Sequence, residues 1–242
     1  MDIVGGRVKK GIGFKNLQDA GDPVELAKFY CDSGADELVI LDITATVESR
    51  KNSYKLVADI AKNINIPLTV GGGIKNMRDI KKLLNAGADK VSIGTEAILN
   101  PNFISQAVKQ FGSQCIVISV DPKWNESSWK IFIMGGRKNT GVNAIEFAKD
   151  MAKRGAGELL VNSLDRDGTK TGYDIPLLKI IAKAVDIPVI ASSGAGKMED
   201  FLEVFNKTDV SAVLAAGIFH YQKLSIQTLK KYLLNNKINI RV

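Results

Sequence analysis

The sequence predicts an α/β fold: a single parallel (β/α)8 barrel, or TIM barrel, built from two similar halves. Three observations carry this. Short apolar runs alternate with amphipathic helical patterns along the whole chain. The chain echoes itself at an offset of 121 residues, half its length of 242. Glycine-rich turns follow the apolar runs at matching places in the two halves. Runs this apolar suit strands buried on both faces of a parallel sheet, and strands joined by helices in this rhythm close into barrels.

Taken in order, strands are expected at Leu38–Ile43, Pro67–Val70, Lys90–Ile93, Ile116–Val120, Leu159–Asn162, Pro188–Ala191 and Ala212–Ala215. Helices are expected at Pro23–Ser33, Tyr54–Asn63, Met77–Ala86, Pro101–Phe111, Asn143–Lys153, Ile175–Val185, Met198–Lys207 and Ser225–Leu234. Asp22 before Pro23 and Asn100 before Pro101 each set a capping side chain ahead of a proline, whose missing N–H is harmless in a first turn. Gly34, Gly87 and Gly155 stand where helices end, as C-terminal caps. No linker or charge block interrupts the rhythm, so residues 1–242 read as one domain.

That inventory is one strand short. The first strand should precede Asp2, where only Met1 stands. The chain thus reads as a barrel truncated at its N-terminus, with the first strand largely missing and the native start upstream. The expected consequences are unpaired edges on the second and eighth strands, a gap in the wall and an Asp2 held on a fraying end. Such a chain is expected to be poorly stable and weakly active.

The repeat supports two fused half-barrels. IPLTVGGGIKNM at 66–77 returns as IPVIASSGAGKM at 187–198, and GADEL at 34–38 returns as GAGEL at 155–159. Asp79 and Asp200 share the offset, and GGRVKKG at 5–11 has a looser echo in GGRKNTG at 135–141. A site built in one half should therefore have a counterpart in the other.

Composition removes several function classes. With 45% apolar and 24% charged residues the chain is an ordinary folded protein. No apolar run approaches the ~20 residues of a membrane helix, and the opening residues hold no signal-peptide core, so a cytoplasmic setting is expected. Cys31 and Cys115 lie in apolar-periodic segments and read as reduced core residues without metal-ligand spacing. The single histidine, His220, reads as a packed or solvated helix-turn residue, which leaves acid–base work to carboxylates and lysines. The net charge of +7 is spread over scattered lysines that are not interleaved with aromatics, so neither nucleic acid nor membrane is expected as a partner.

Three groups of residues stand at the C-terminal strand ends, where barrel active sites form. Val70-Gly71-Gly72-Gly73 with Gly94-Thr95, and Ser192-Ser193-Gly194-Ala195-Gly196 with Ala216-Gly217, form two glycine-rich turns, each ahead of a helix. Glycine lets backbone N–H groups approach an anion, so each half should cradle one phosphate. Asp2 and Asp121 end opposite strands and precede longer loops bearing Lys10 and Lys123. Two carboxylates facing across a barrel mouth can divide proton donation and acceptance if their environments separate them. The polar strand ends Asp42, Thr44, Asn162 and Ser192 add contacts, Asp167-Gly168-Thr169 reads as a turn that also touches phosphate or hydroxyl, and Arg166 as salt-bridged scaffold.

Together these residues resemble the cyclase subunit family of imidazole glycerol phosphate synthase. The motifs FKNLQDAGDPVELAKFY, DELVILDITA, VGGGI, ADKVSIGTEA, RGAGELL, DRDGTKTGYD, IASSGAGKMEDFLE and Phe219-His220 fall in order along the whole chain. The resemblance implies a barrel enzyme of histidine biosynthesis. It joins ammonia to a bis-phosphorylated ribulosyl aminoimidazole carboxamide nucleotide, giving imidazole glycerol phosphate and the aminoimidazole carboxamide ribotide, with no cofactor or metal. It implies catalytic roles for Asp2 and Asp121, and a working loop lysine at Lys10. It places Asp42, Asn162 and Ser192 at the substrate mouth, Gly73 and Thr95 at one phosphate, and Asp167, Gly168, Gly194 and Gly217 at the other. It further implies a glutaminase subunit docked on the N-terminal barrel face near Asp89, with a charged ammonia gate at Glu37, Lys90 and Glu158.

Departures from the family pattern are the absent first strand with its gate arginine, Gly94 for a common asparagine, Ser193 for a glycine and one extra residue in 206–211. Alternatives left open are the sister isomerase of the pathway, a branch acting in surface-polysaccharide sugar amidation, and a non-catalytic barrel that activates a glutaminase.

Overall fold

A computed structural model describes residues 1–12, 15–42, 54–220 and 223–241, with the side chains of 10–18 outside the description. Eight parallel strands run in the ladder order β13(Ala212–Leu214), β12(Val189–Ser192), β11(Glu158–Asn162), β7(Ile116–Val120), β6(Lys90–Ile93), β5(Leu68–Gly71), β4(Leu38–Asp42) and β1(Asp2–Val4). The ladder then continues into an antiparallel hairpin, β2(Arg7–Ile12) and β3(Lys15–Gly21). The helices are α1(Pro23–Asp32), α2(Tyr54–Ala61), α3(Met77–Asn85), α4(Thr95–Leu99), α5(Pro101–Phe111), α6(Ala144–Lys153), α7(Ile175–Ala184), α8(Met198–Lys207), α9(Gly217–His220) and α10(Ile226–Asn235). A second sheet, β8(Pro122–Asn125), β9(Ser128–Ile133) and β10(Lys138–Asn143), rises from the end of β7.

The apolar runs form strands because both their faces are covered. Ile116, Ile118 and Val120 of β7 and Leu159, Leu160 and Val161 of β11 are fully buried. Each side chain of this size contributes about 1.5–3 kcal/mol on leaving water. The helices bury one stripe each, for example Ile80 and Leu83 of α3 and Phe201 and Val204 of α8. Among the described residues no helix is long and apolar enough to cross a membrane.

The repeat is built into the local geometry. Asp22 caps α1 by accepting from the N–H groups of Val24 and Glu25, and Asn143 caps α6 by accepting from Ile145 and Glu146. Asp79 of α3 accepts from Lys75 N–H at 3.0 Å, and Asp200 of α8 accepts from Gly196 and Lys197 at 2.7 and 3.0 Å. These acceptors hold the turn before each helix.

Several expectations need correction. Asn100 does not cap α5 with its side chain. The chain leaves α4 directly into α5, and the Asn100 backbone N–H is used by Glu96 O to close α4. The stretches after Asp2 and Asp121, read as loops, are antiparallel sheets. Their sequences are too polar and glycine-rich to show a strand period. Two short helices, α4 and α9, were not among the expected elements.

The first strand position is partly occupied. Asp2 and Ile3 pair in parallel with Leu41 and Asp42, while the Met1 backbone bonds Val39 O and Leu41 N–H. The second barrel strand, β4, is therefore paired over its C-terminal half, contrary to the expected open edge. β13 ends the ladder, with β12 as its strand partner among the described residues. All three of its residues are partly exposed, while most residues of β5, β6, β7, β11 and β12 are buried. The two cysteines are free and only partly buried.

Candidate active site

At the C-terminal strand ends the best-defined cluster surrounds Asp121, one residue past β7. Its Oδ1 accepts from Asn162 Nδ2 at 2.9 Å and from Ser119 Oγ at 3.4 Å, and Asn162 Nδ2 also donates to Ser119 Oγ at 3.1 Å. The strands fix this geometry. Val120 pairs with Val161, which sets Asp121 and Asn162 side by side at the ends of neighbouring strands. Ser119, two residues before Asp121, shares its face of the strand. Sequence reading missed Ser119, although that i−2 spacing was the available signal.

Burial pushes the Asp121 carboxyl above the ordinary carboxylate range. Hydrogen bonds from Asn162 and Ser119 pull it back in part, and the negative charge of Asp167 raises it again. A carboxyl with this balance holds its proton more readily than a solvated one, so it can donate.

The neighbouring predicted residues fall into the same ring of strand ends. Ser192 is buried at the end of β12 and pairs with Asn162 on one side and Leu214 on the other. Asp2 pairs with Leu41 and Asp42 with Ile3 at the β1–β4 step. Thr169 Oγ1 donates to Arg166 O at 2.9 Å and lies 2.9 Å from Thr171 Oγ1, which closes the Asp167-Gly168 turn. Arg166 hydrogen-bonds Thr171 Oγ1 at 3.1 Å, so its scaffold contact is to a hydroxyl. Asp165, the first residue of the DRDGTKTGYD motif, accepts from Trp124 N–H at 2.6 Å and ties the β8–β9 sheet to this turn. Lys123 points its ammonium at the Phe132 ring, 5.9 Å from the centroid. The Lys10 side chain and Thr44 lie outside the described residues.

The glycine turns sit tight against neighbouring backbone. A Cβ on Gly72 would lie 2.3 Å from Asp42 O, and one on Gly194 would lie 2.2 Å from Gly172 O. Both glycines also have positive φ, +103° and +102°, so no side chain is tolerated for two separate reasons. Gly73 completes the first turn with φ +65°, and Gly94 leads into Thr95 at the start of α4. Gly168 has φ +73°, and Gly217 opens α9 after β13. Gly72, Gly73, Gly94, Gly194 and Gly217 lie within three residues of a strand end, and Gly168 lies in the turn after β11.

The opposite face carries a second charged cluster. Lys90 Nζ reaches Glu37 at 3.0 Å and Glu158 at 2.5 Å. Burial alone would lower the Lys90 ammonium, but the two carboxylates outweigh it and raise it above its ordinary value. Lys90 is therefore a fixed cation. Glu158 Oε2 is buried without a hydrogen-bond partner among the described residues. Asp89, grouped with this face, instead accepts from Leu68 N–H at 2.8 Å and brackets β5 to β6.

The family model for histidine biosynthesis proteins matches residues 1–225. This chain belongs to that family. Three similar curated proteins are each named imidazole glycerol phosphate synthase subunit HisF. That of Hydrogenobaculum sp. (strain Y04AAS1) is 54% identical, covering all of this chain and 96% of its own. That of Prochlorococcus marinus (strain MIT 9515) is 52% identical, covering all of this chain and 95% of its own. That of Clostridium botulinum (strain Okra / Type B1) is 50% identical, again covering all of this chain and 96% of its own. As a member of the family the chain is an enzyme of histidine biosynthesis with a (β/α)8 fold.

Proposed function

We propose that this chain is the cyclase of an imidazole glycerol phosphate synthase. It uses ammonia from a glutaminase subunit to convert the bis-phosphorylated ribulosyl aminoimidazole carboxamide nucleotide into imidazole glycerol phosphate and the aminoimidazole carboxamide ribotide. Addition of ammonia to a carbonyl needs one proton delivered to oxygen and one removed from nitrogen. Asp121, protonated more readily than a solvated carboxylate, delivers the first; Asp2, across the mouth, takes the second. Asn162 and Ser119 orient the Asp121 carboxyl, and Asp42 and Ser192 line the mouth.

The turns at Gly73, Gly94 and Thr95, and at Asp167, Gly168, Thr169, Gly194 and Gly217, hold the two phosphates, one in each half. Lys10 is the working lysine of this reading. The glutaminase docks on the N-terminal face near Asp89, and ammonia enters past Glu37, Lys90 and Glu158. The observation that carries this reading is the buried Asp121 carboxyl held by Asn162 and Ser119 at the strand ends. Product formation from the nucleotide should require ammonium salt when the chain acts alone. Turnover without ammonia would point to the sister isomerase and overturn the reading.

A further inference from the structure

The two hairpins that follow Asp2 and Asp121 share one register. Val4 pairs with Arg7 in the first, and Asn125 pairs with Ser128 in the second, 121 residues further on. Lys9 and Lys130 are therefore equivalent positions, yet their surroundings differ. Lys9 pairs across the strands with Asp19, and its ammonium reaches that carboxylate at 3.1 Å. Arg7 holds the same carboxylate at 2.9 Å. Lys130 instead lies directly opposite Lys123 of β8. Its other cross-strand partner is Asn143, whose carboxamide oxygen is engaged in capping α6. Among the described residues neither Lys123 nor Lys130 is ion-paired or hydrogen-bonded through its ammonium. Like charges directly opposite on neighbouring strands destabilise a sheet. The first half neutralises its lysine; the second half sets two lysines against each other.

The pair stands on the Asp121 face of this sheet. Phe132 N–H donates to Asp121 O at 2.9 Å, so the register that opposes Lys123 and Lys130 also opposes Asp121 and Phe132. Asp121 and Lys123, two residues apart in extended chain, share a face. The Lys123 ammonium lies 5.9 Å from the Phe132 ring centroid, so it leans back toward the Asp121 row. The same strand is fastened to the turn assigned to the second phosphate. Leu164 N–H donates to Pro122 O at 2.9 Å, and Trp124 N–H donates to Asp165 at 2.6 Å. Asp165 thus serves the backbone and forms no ion pair with either lysine among the described residues.

We propose that Lys123 and Lys130 form an anion-binding pair that contacts the substrate phosphate held at the Asp167-Gly168 turn. This rests on the cyclase reading for its substrate, a bis-phosphorylated nucleotide. A phosphate monoester carries about two negative charges near neutrality and offers three acceptor oxygens, enough for both ammonium groups beside backbone N–H donors. Its arrival replaces the repulsion between the lysines with two charge-assisted contacts.

The test compares Lys123→Met, Lys130→Met, Lys130→Arg and the double variant Lys123→Met/Lys130→Met. Lys138→Met serves as control, since it removes the same charge from β10 of the same sheet. KM and kcat for the nucleotide are measured with saturating ammonium, and thermal melts are run with and without inorganic phosphate. Each single Met variant should raise KM about three- to tenfold with kcat within about threefold, and the double variant should raise KM at least about tenfold. Lys130→Arg and Lys138→Met should each hold KM within about twofold of wild type. Inorganic phosphate should raise the Tm of wild type, and the double variant should lose at least about half of that rise. Unchanged KM in both single Met variants, an equal rise in Lys138→Met, no rescue by arginine, or full phosphate protection of the double variant would each overturn the pair. If wild type shows no ammonia-dependent turnover but the double variant loses the phosphate protection, the cyclase reading fails and the anion site stands.

Discussion

The two halves of this barrel share their scaffolding and differ in their polar chemistry. α1 and α6 start and stop 121 residues apart, and their caps accept from the same two N–H positions. Gly34 and Gly155 end them with φ of +86° and +90°. Yet Asp121 has a partner amide in Asn162 where the first half has Leu41 beside Asp2, and Gly72 is replaced by Ser193. Backbone geometry constrains both halves alike, because caps and turns follow local rules. Side chains at the mouth follow no such local rule, and there the two halves differ.

The largest expected effect breaks the comparison at the mouth. Asp121→Asn should lower kcat by about 10²–10⁴-fold, the usual worth of a general acid or base. It should also stabilise the fold. A carboxyl whose folded pKa is raised contributes fully below its unfolded pKa, and its contribution is lost as pH rises through the raised value. The variant should therefore melt higher than wild type near neutrality, with the gap closing in acid. Thermal melts across pH check this.

Gly72→Ala comes next. The methyl would meet Asp42 O at 2.3 Å in a left-handed backbone, a cost of about 3 kcal/mol. Tm should fall by about 6–12 °C. Lys90→Met would leave Glu37 and Glu158 facing each other without their shared cation. The cluster is partly solvated, so the loss should be about 1–3 kcal/mol, as read by denaturant titration. The smallest change sharpens the comparison. Ser193 sits at φ +79° where the first half has glycine, so Ser193→Gly should raise Tm by about 2–4 °C.

Most of the barrel was legible from residues alone. The runs at Ile116–Val120 and Leu159–Asn162 are apolar enough to be strands in no other setting, and the match between 66–77 and 187–198 revealed the duplication. The sheets after Asp2 and Asp121 were not legible, because RVKKGI and KNTGVN alternate poorly and owe their pairing to the neighbouring strands of their own hairpins. At the site, Asp121, Asn162 and Ser192 were visible as polar residues closing apolar strands. Ser119 was hidden because a serine inside an apolar run reads as core. The Tyr30–His220 contact spans 190 residues, and no local pattern announces such a pair.

The most direct test of the paired-carboxylate account is ammonium-dependent turnover of the bis-phosphorylated nucleotide, measured side by side for wild type, Asp2→Asn and Asp121→Asn. The account predicts product from wild type and a loss of at least about 10²-fold in each variant, with the fold retained. Wild-type rates from either variant would contradict it.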